Sequence, residues 1–195
     1  MKIRFTFFLV FLFLIIKNLL ANEIKINSEN IKILENGNII KSIKTQANIE
    51  IKKLYLEGDR SEYNKKKNEI FLIGNVIFLD KIKSIRITAE EAEYNQINDV
   101  LKTIGKTEIN IENQYEISSR NMVYNRKLQI IYSKSDTIVK DSEGNIYNIQ
   151  KSFKYFIDKK IISASKVNVV DNKNNIYYFE NSKIDLSSKE ILGKE

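Results

Sequence analysis

The chain has 195 residues, 43% of them hydrophobic, with 32 basic side chains against 25 acidic ones and no Cys, His, Trp or Pro. That length suits one domain with a sizeable core rather than two. Without Cys no disulfide can form in any compartment. Without His or Cys, imidazole bases, thiol nucleophiles and the common zinc ligand sets are excluded, so only carboxylate, Lys, Ser or Tyr chemistry remains.

At the N-terminus, Lys2 and Arg4 precede an apolar run over residues 5–16, FTFFLVFLFLII, which Lys17 and Asn18 close. A membrane-spanning helix needs about 20 apolar residues and the core of an export signal about 7–15. The run therefore predicts a signal peptide over residues 1–21, cut after Ala21, although Leu19 stands where a small residue is preferred. An uncleaved membrane anchor is the alternative, and either one exports residues 22–195. Loss of residues 1–21 removes three basic side chains and no acid, leaving a net charge of +4. That charge is interspersed rather than clustered, so no nucleic-acid partner is expected. The run Lys65, Lys66 and Lys67 reads as a solvated turn.

From residue 24 onward a repeat emerges. Six ten-residue windows, IKINSENIKI, LYLEGDRSEY, IRITAEEAEY, YEISSRNMVY, YNIQKSFKYF and YYFENSKIDL, end at Ile33, Tyr63, Tyr94, Tyr124, Phe156 and Leu186, with spacings of 30, 31, 30, 32 and 30. Such a period means stacked units rather than one closed globule. The first and third positions of each window are apolar, which is strand alternation. The tenth is apolar too, so parity reverses in between, at polar or small stretches such as EGDR, TAEE and SSRN. A bulge does this, because one extra residue turns the following side chains to the other face. A polar turn and a return strand follow: EIFLIGNVIFLD, VLKTIGKTEINIE and QIIYSKSDTIVKD. Gly74 and Gly105 sit mid-strand, eleven residues after their Tyr, where Gly marks a bend. In the recurring Tyr-Asn pair, Tyr closes the apolar face of the arm and Asn opens the turn by bonding the local backbone. No helix-period segment appears after residue 22. The expectation is an all-β fold of bent hairpins stacked side by side into an open trough.

An open stack leaves edge strands that can template pairing with another chain. The first window is short and alternating, and no Pro guards it, so Ile24, Ile26 and Asn27 are the expected docking edge. Inside the trough, apolar residues recur at each rung: Leu56, Ile87, Ile117, Ile149 and Phe179 on the outgoing arms, and Val76, Phe78, Ile109, Val139, Val167 and Val169 on the return arms. Plain core packing and a ligand-lining face both account for that stripe.

AEEAEYN (residues 89–95) and IGNVIF (residues 73–78) resemble two short elements of the OstA-like domains of lipopolysaccharide transport proteins. The resemblance covers residues 22–195. Later copies depart from it, with Gly105-Lys106-Thr107 in place of G-N-V and Ser135 where Gly would stand. The chain looks most like the periplasmic domain that precedes the barrel of the outer-membrane assembly protein, or like the periplasmic bridge protein. The length of the apolar run argues against the anchored member. The resemblance implies a bent antiparallel β-jellyroll in the periplasm, associated with the outer membrane, whose apolar groove takes lipopolysaccharide acyl chains. It turns the rung residues named above into groove-lining ones and implies no cofactor and no metal. As partners it implies other OstA-like proteins docking edge to edge and, for a fragment, an outer-membrane lipoprotein or barrel.

Three function classes are open: a non-enzymatic lipid conduit, a structural or adhesive β-solenoid with a filled core, and an exported carbohydrate-active enzyme. The last needs paired carboxylates on facing positions. Adjacent Glu90 and Glu91 point apart on a regular strand, and Asp59 and Glu62 fall in a bend, so no catalytic residue is assigned. Interior volume discriminates the first two.

Overall fold

The computed structural model describes residues 24–194. The expected signal segment, residues 1–21, lies outside the described residues. Fifteen strands follow one another: β1 (Lys25–Asn27), β2 (Asn30–Leu34), β3 (Ile39–Ile49), β4 (Leu54–Asn64), β5 (Glu69–Asp80), β6 (Ile85–Asn95), β7 (Val100–Ile111), β8 (Tyr115–Arg120), β9 (Val123–Asn125), β10 (Ile130–Ser133), β11 (Thr137–Asp141), β12 (Ile146–Phe156), β13 (Ile161–Val170), β14 (Ile176–Asp185) and β15 (Glu190–Lys194). All belong to one sheet in which nearly every arm pairs antiparallel with the arms before and after it. β1 and β2 are the two halves of one broken arm, both paired with β3. β8 with β9, and β10 with β11, are broken arms of the same kind. The return arms expected over EIFLIGNVIFLD and VLKTIGKTEINIE are β5 and β7, and QIIYSKSDTIVKD is β10 plus β11.

The outgoing arms β4 and β6 change face near their middle, whereas the return arms β5 and β7 keep theirs: Ile70, Leu72, Val76 and Phe78, like Leu101, Thr103, Thr107 and Ile109, are all buried, because the two-residue bulge on the return arm compensates for the bend. In β4, Leu54 and Leu56 are buried, and so are Ser61 and Tyr63; in β6 the buried set moves from Ile85 and Ile87 to Ala92 and Tyr94. Register slips mark the change, between Ile73 and Val76 in β5 and between Ala89 and Glu91 in β6. In β5 and β7 two residues oppose the single Glu90, which is the arrangement of a bulge. Gly74 and Gly105 hold these bulges at φ of 77° and 80°, a region that costs an L-residue about 1–2 kcal/mol. One outgoing arm departs from the pattern. In β12 Ile149 and Phe153, four positions apart, are both buried, so parity is not reversed there and Tyr155, not Phe156, carries the inward face.

The sheet folds over along this line of bulges, bringing its two halves face to face. Phe78, in the half of β5 beyond the bend, meets Tyr94 and Tyr124 of the opposite half at ring-centroid distances of 5.6 and 6.2 Å. The turns are closed as the Tyr-Asn pairs foretell. Asn64, Asn95 and Asn125 accept backbone N–H bonds from Lys67, Asn98 and Leu128 at 3.1, 2.8 and 2.9 Å. Their Tyr partners are buried in the core.

Gly74→Ala should lower stability by about 1–2 kcal/mol, read as a shift of the urea midpoint with an unchanged slope. An unmoved midpoint would show that the bulge does not depend on glycine at this position.

Candidate lipid-binding interior

Strand pairing places side chains of the same face opposite one another, so the register traces the lining of the interior. On one wall the ladder runs Ile26, Ala47, Leu56, Phe78, Ile87, Ile109, Ile117, Val139, Tyr147, Val169, Tyr177 without a polar interruption. On the facing wall it runs Ile33, Ile40, Tyr63, Ile70, Tyr94, Leu101, Tyr124, Ile131, Tyr155, Ile162, Ile184, Ile191. At about 4.8 Å per strand, each ladder is roughly 50 Å long. From Ala47 to Val139 the first ladder is at most 2% exposed, whereas Ile33 at one end and Tyr177 at the other are 63% and 46% exposed. The walls therefore touch in the middle and leave apolar inner faces bare at the two ends.

The residues expected to line a groove all sit on the first wall. Leu56, Val76, Phe78, Ile87, Ile109, Ile117, Val139, Ile149, Val167 and Val169 are buried, and Phe179 is partly buried against the same core. The facing wall is missing from that set, although its signal was in the sequence as the apolar tenth position of each window. Phe156 is the exception noted above. It faces outward, with the ammonium groups of Lys154 and Lys159 at 5.4 and 5.9 Å from its ring. Ile26 and Asn27 lie in β1, which pairs only with β3 among the described residues, and Ile24 just precedes it, buried against the core.

A line of small hydroxyl side chains runs along the crease. Ser42 bonds Thr45 at 2.8 Å and Ser61 at 2.7 Å, Thr107 donates to Thr103 at 2.7 Å, and Ser119 bonds Ser133 at 3.0 Å and Thr137 at 2.9 Å. Leu72, between Ser61 and Ala92 in the register, interrupts the line with a large buried side chain. The hydroxyls satisfy one another and the backbone groups that the bulges free from the ladder.

Opposite the crease the rims of the two halves meet, and ion pairs tie them. Lys83 bonds Asp158 at 2.8 Å, Lys160 pairs with Glu112 at 3.3 Å, and Lys189 pairs with Glu143. These exposed pairs are worth little each, about 0–1 kcal/mol. One group is different. Arg126 donates through Nε to Asp80 at 2.7 Å, through Nη1 to Asp99 at 2.9 Å and through Nη2 to the Lys52 carbonyl at 3.3 Å. Lys52 reaches Asp99 at 3.3 Å and the Gln96 carbonyl at 2.7 Å. Tyr124 donates to Asp80 at 2.8 Å, and Tyr94 donates to Asp99. Asp80 is fully buried, and the Arg126 side chain is 10% exposed.

The electrostatics follow from that packing. Burial raises the Tyr94 and Tyr124 hydroxyl pKa values, and the acceptors Asp99 and Asp80 raise them further. Burial works against the Arg126 charge, but Asp80 and Asp99 more than offset it and its pKa is raised. For Asp99, burial opposes ionisation, yet the Tyr94 hydroxyl, Arg126 and Lys52 hold its pKa below the ordinary carboxylate value. Sequence reasoning missed this cluster. Asp80 ends a return strand and Asp99 and Arg126 stand in polar turns, and nothing local shows that four turns from opposite rims converge.

The lipopolysaccharide-assembly, LptC-related family matches residues 21–131. The chain belongs to this family. The sequence alone favoured the barrel-preceding and bridge members of the OstA-like group, and the match falls on the LptC-related one. No curated protein matches the chain. Among solved structures, LptH, described as the LptA-homologous periplasmic component of the conserved lipopolysaccharide transport device of Pseudomonas aeruginosa, aligns over 80% of this chain and 94% of its own length. Its identity is 11% and its TM-score 0.48.

A depressed carboxylate contributes stability that is fully present above its unfolded pKa of about 3.9 and is lost as pH falls through the lower folded value. Asp99→Asn should therefore cost about 1.5–3 kcal/mol at pH 7, with a gap to wild type that narrows below about pH 4. Denaturant midpoints at pH 7 and pH 3 test this. A gap of equal size at both would show that the Asp99 charge is not what ties the rims.

Proposed function

We infer that the chain is a non-enzymatic conduit that takes lipopolysaccharide by its acyl chains between the two walls and passes it across the periplasm. The observation that carries the reading is the pair of uninterrupted apolar ladders facing one another through the whole sheet, bare at both ends. A solenoid that only needed a core would gain nothing from inward-facing aliphatics left exposed at Ile31 and Ile33. Membership of a lipopolysaccharide-assembly family supports the same reading. In it, acyl chains enter at an end and advance as the walls part, so the rim contacts must open along the path.

The chain has no Cys, which makes a rim staple straightforward. Cysteines at Lys83 and Asp158, joined by a short cleavable bismaleimide, should leave the fold intact and block opening. Lipopolysaccharide capture by a photo-crosslinking residue at Ile87 should fall to the level seen at solvent-facing Lys66 and recover when the linker is cleaved. Capture unaffected by the staple would sink the reading.

Docking belongs to the same proposal. β1, which pairs with β3 among the described residues, is the strand to which a β-trough of another transport protein adds, so that two interiors join. Asn27→Pro should abolish co-purification with such a partner while circular dichroism keeps its β signal. Normal co-purification of the folded variant would place the joint elsewhere.

A further inference from the structure

Four exposed aliphatic side chains stand at the tips of hairpin turns: Ile51, Ile82, Ile97 and Leu128. The turns that carry them are the same four that meet in the Arg126 cluster. Ile51 is next to Lys52, Ile82 follows Asp80, Ile97 precedes Asp99, and Leu128 follows Arg126. Two of these turns come from one rim and two from the other, so residues far apart in sequence share one surface. The cluster fixes their mutual positions from beneath, and the Lys127 ammonium bridges to the Ile97 carbonyl at 2.7 Å. At the turns beyond this group Ile157 and Leu186 are instead buried. The aliphatic tips coincide with the ionic base.

Charge on this surface is one-sided. The four turns hold six basic residues, Lys52, Lys53, Lys81, Lys83, Arg126 and Lys127, against Glu50, Asp80 and Asp99. Both Asp side chains turn inward onto Arg126, and Glu50 pairs with Lys25 at 2.7 Å. Exposed Lys53, Lys81 and Lys127 remain around the tips.

We propose that this rim is a docking face for an anionic phospholipid bilayer, with the four aliphatic tips in the interfacial layer and the lysines on the headgroups. Scattered surface aliphatics are ordinary. Four on adjacent tips, ringed by Lys, match what binds a lipid surface, where shallow apolar insertion and attraction to anionic headgroups act together. A protein partner would call instead for a contiguous packed apolar centre with aromatic anchors. The tips here are aliphatic and separated by polar residues. The inference does not rest on the conduit reading: a filled, non-transporting sheet would dock in the same way.

The absence of Cys allows single-site labelling of the full chain, so the N-terminal apolar segment is present in every sample and cannot by itself distinguish the sites. An environment-sensitive dye is placed on Ile82→Cys and Ile97→Cys, and for reference on Ile104→Cys, an exposed aliphatic on the outer face, and Lys173→Cys, at a distant turn. The protein is reconstituted into vesicles of phosphatidylcholine with 30% phosphatidylglycerol, or of phosphatidylcholine alone, with headgroup-level spin-labelled lipid as quencher. The expected result is quenching at both tip sites at least about twofold above the reference sites in the anionic vesicles, reduced by 0.5 M salt, by zwitterionic vesicles, or by Glu at Lys53, Lys81 and Lys127. Equal quenching at tip and reference sites overturns the proposal, as does tip quenching indifferent to lipid charge. So does unaltered access of aqueous iodide to the tips when anionic vesicles are added.

Discussion

The fold depends on one repeated event, a crease at the middle of the arms where two residues of one strand face one of its neighbour. A regular strand can bury only one face, and a sheet of such strands would stay open with its apolar side bare. The bulges at Gly74 and Gly105 let the sheet crease. The crease turns two apolar half-faces toward each other, and the sheet becomes its own partner layer. Hydroxyl side chains then line much of the crease and bond one another, and the rims of the two halves meet in ion pairs. β12 is an outgoing arm that carries the extra residue itself: Gln150 and Lys151 face Lys166, its parity is kept as in β5 and β7, and the inward position shifts from Phe156 to Tyr155 without breaking the ladder.

The rims raise a different problem. Apolar walls attract one another without choosing a register, and exposed Lys–Glu pairs add little. A buried ionic group is costly to form, since desolvating each charge opposes the attraction between them, but it is intolerant of displacement once made. Arg126 satisfies Asp80, Asp99 and a carbonyl of the Lys52 turn at once. Sliding one rim past the other by one turn would leave a fully buried carboxylate unpaired. The cluster therefore specifies alignment more than it adds stability. In the closed state it also holds four turns together, and this gives the aliphatic tips above it a defined geometry.

Much of this was legible in the sequence, and the limits are physical. Hairpins of period near thirty, the parity change and the Asn-closed turns are local events written in alternation, glycine placement and the Tyr-Asn pairs, and β4 to β7 follow them closely. The inward face of one wall was readable for the same reason. The second wall was visible as the tenth-position residues but was not joined to the first, because apolar spacing along one arm does not say which face meets which across a fold. The Arg126 cluster was hidden for a stronger reason. Its members lie up to 74 positions apart, each in a turn whose own chemistry already explains a charged residue.

Contact between the walls bears on how a conduit could release its cargo. Burying an acyl chain is worth about 0.8 kcal/mol per methylene, so a preformed empty groove would hold a multi-chain lipid almost irreversibly. Here Phe78 already packs on Tyr94 and Tyr124, and the ladder between Ala47 and Val139 is shielded from water. In the conduit reading, a chain that enters must exchange wall-to-wall contact for wall-to-lipid contact of similar area. The net affinity is then the difference between two nearly equal burials rather than the full transfer energy. That difference stays small at every rung, because the lining is aliphatic or aromatic throughout and offers no preferred stopping point. A filled interior is on this account compatible with transport, and the energy that would trap a lipid is instead held in the closed state of the protein.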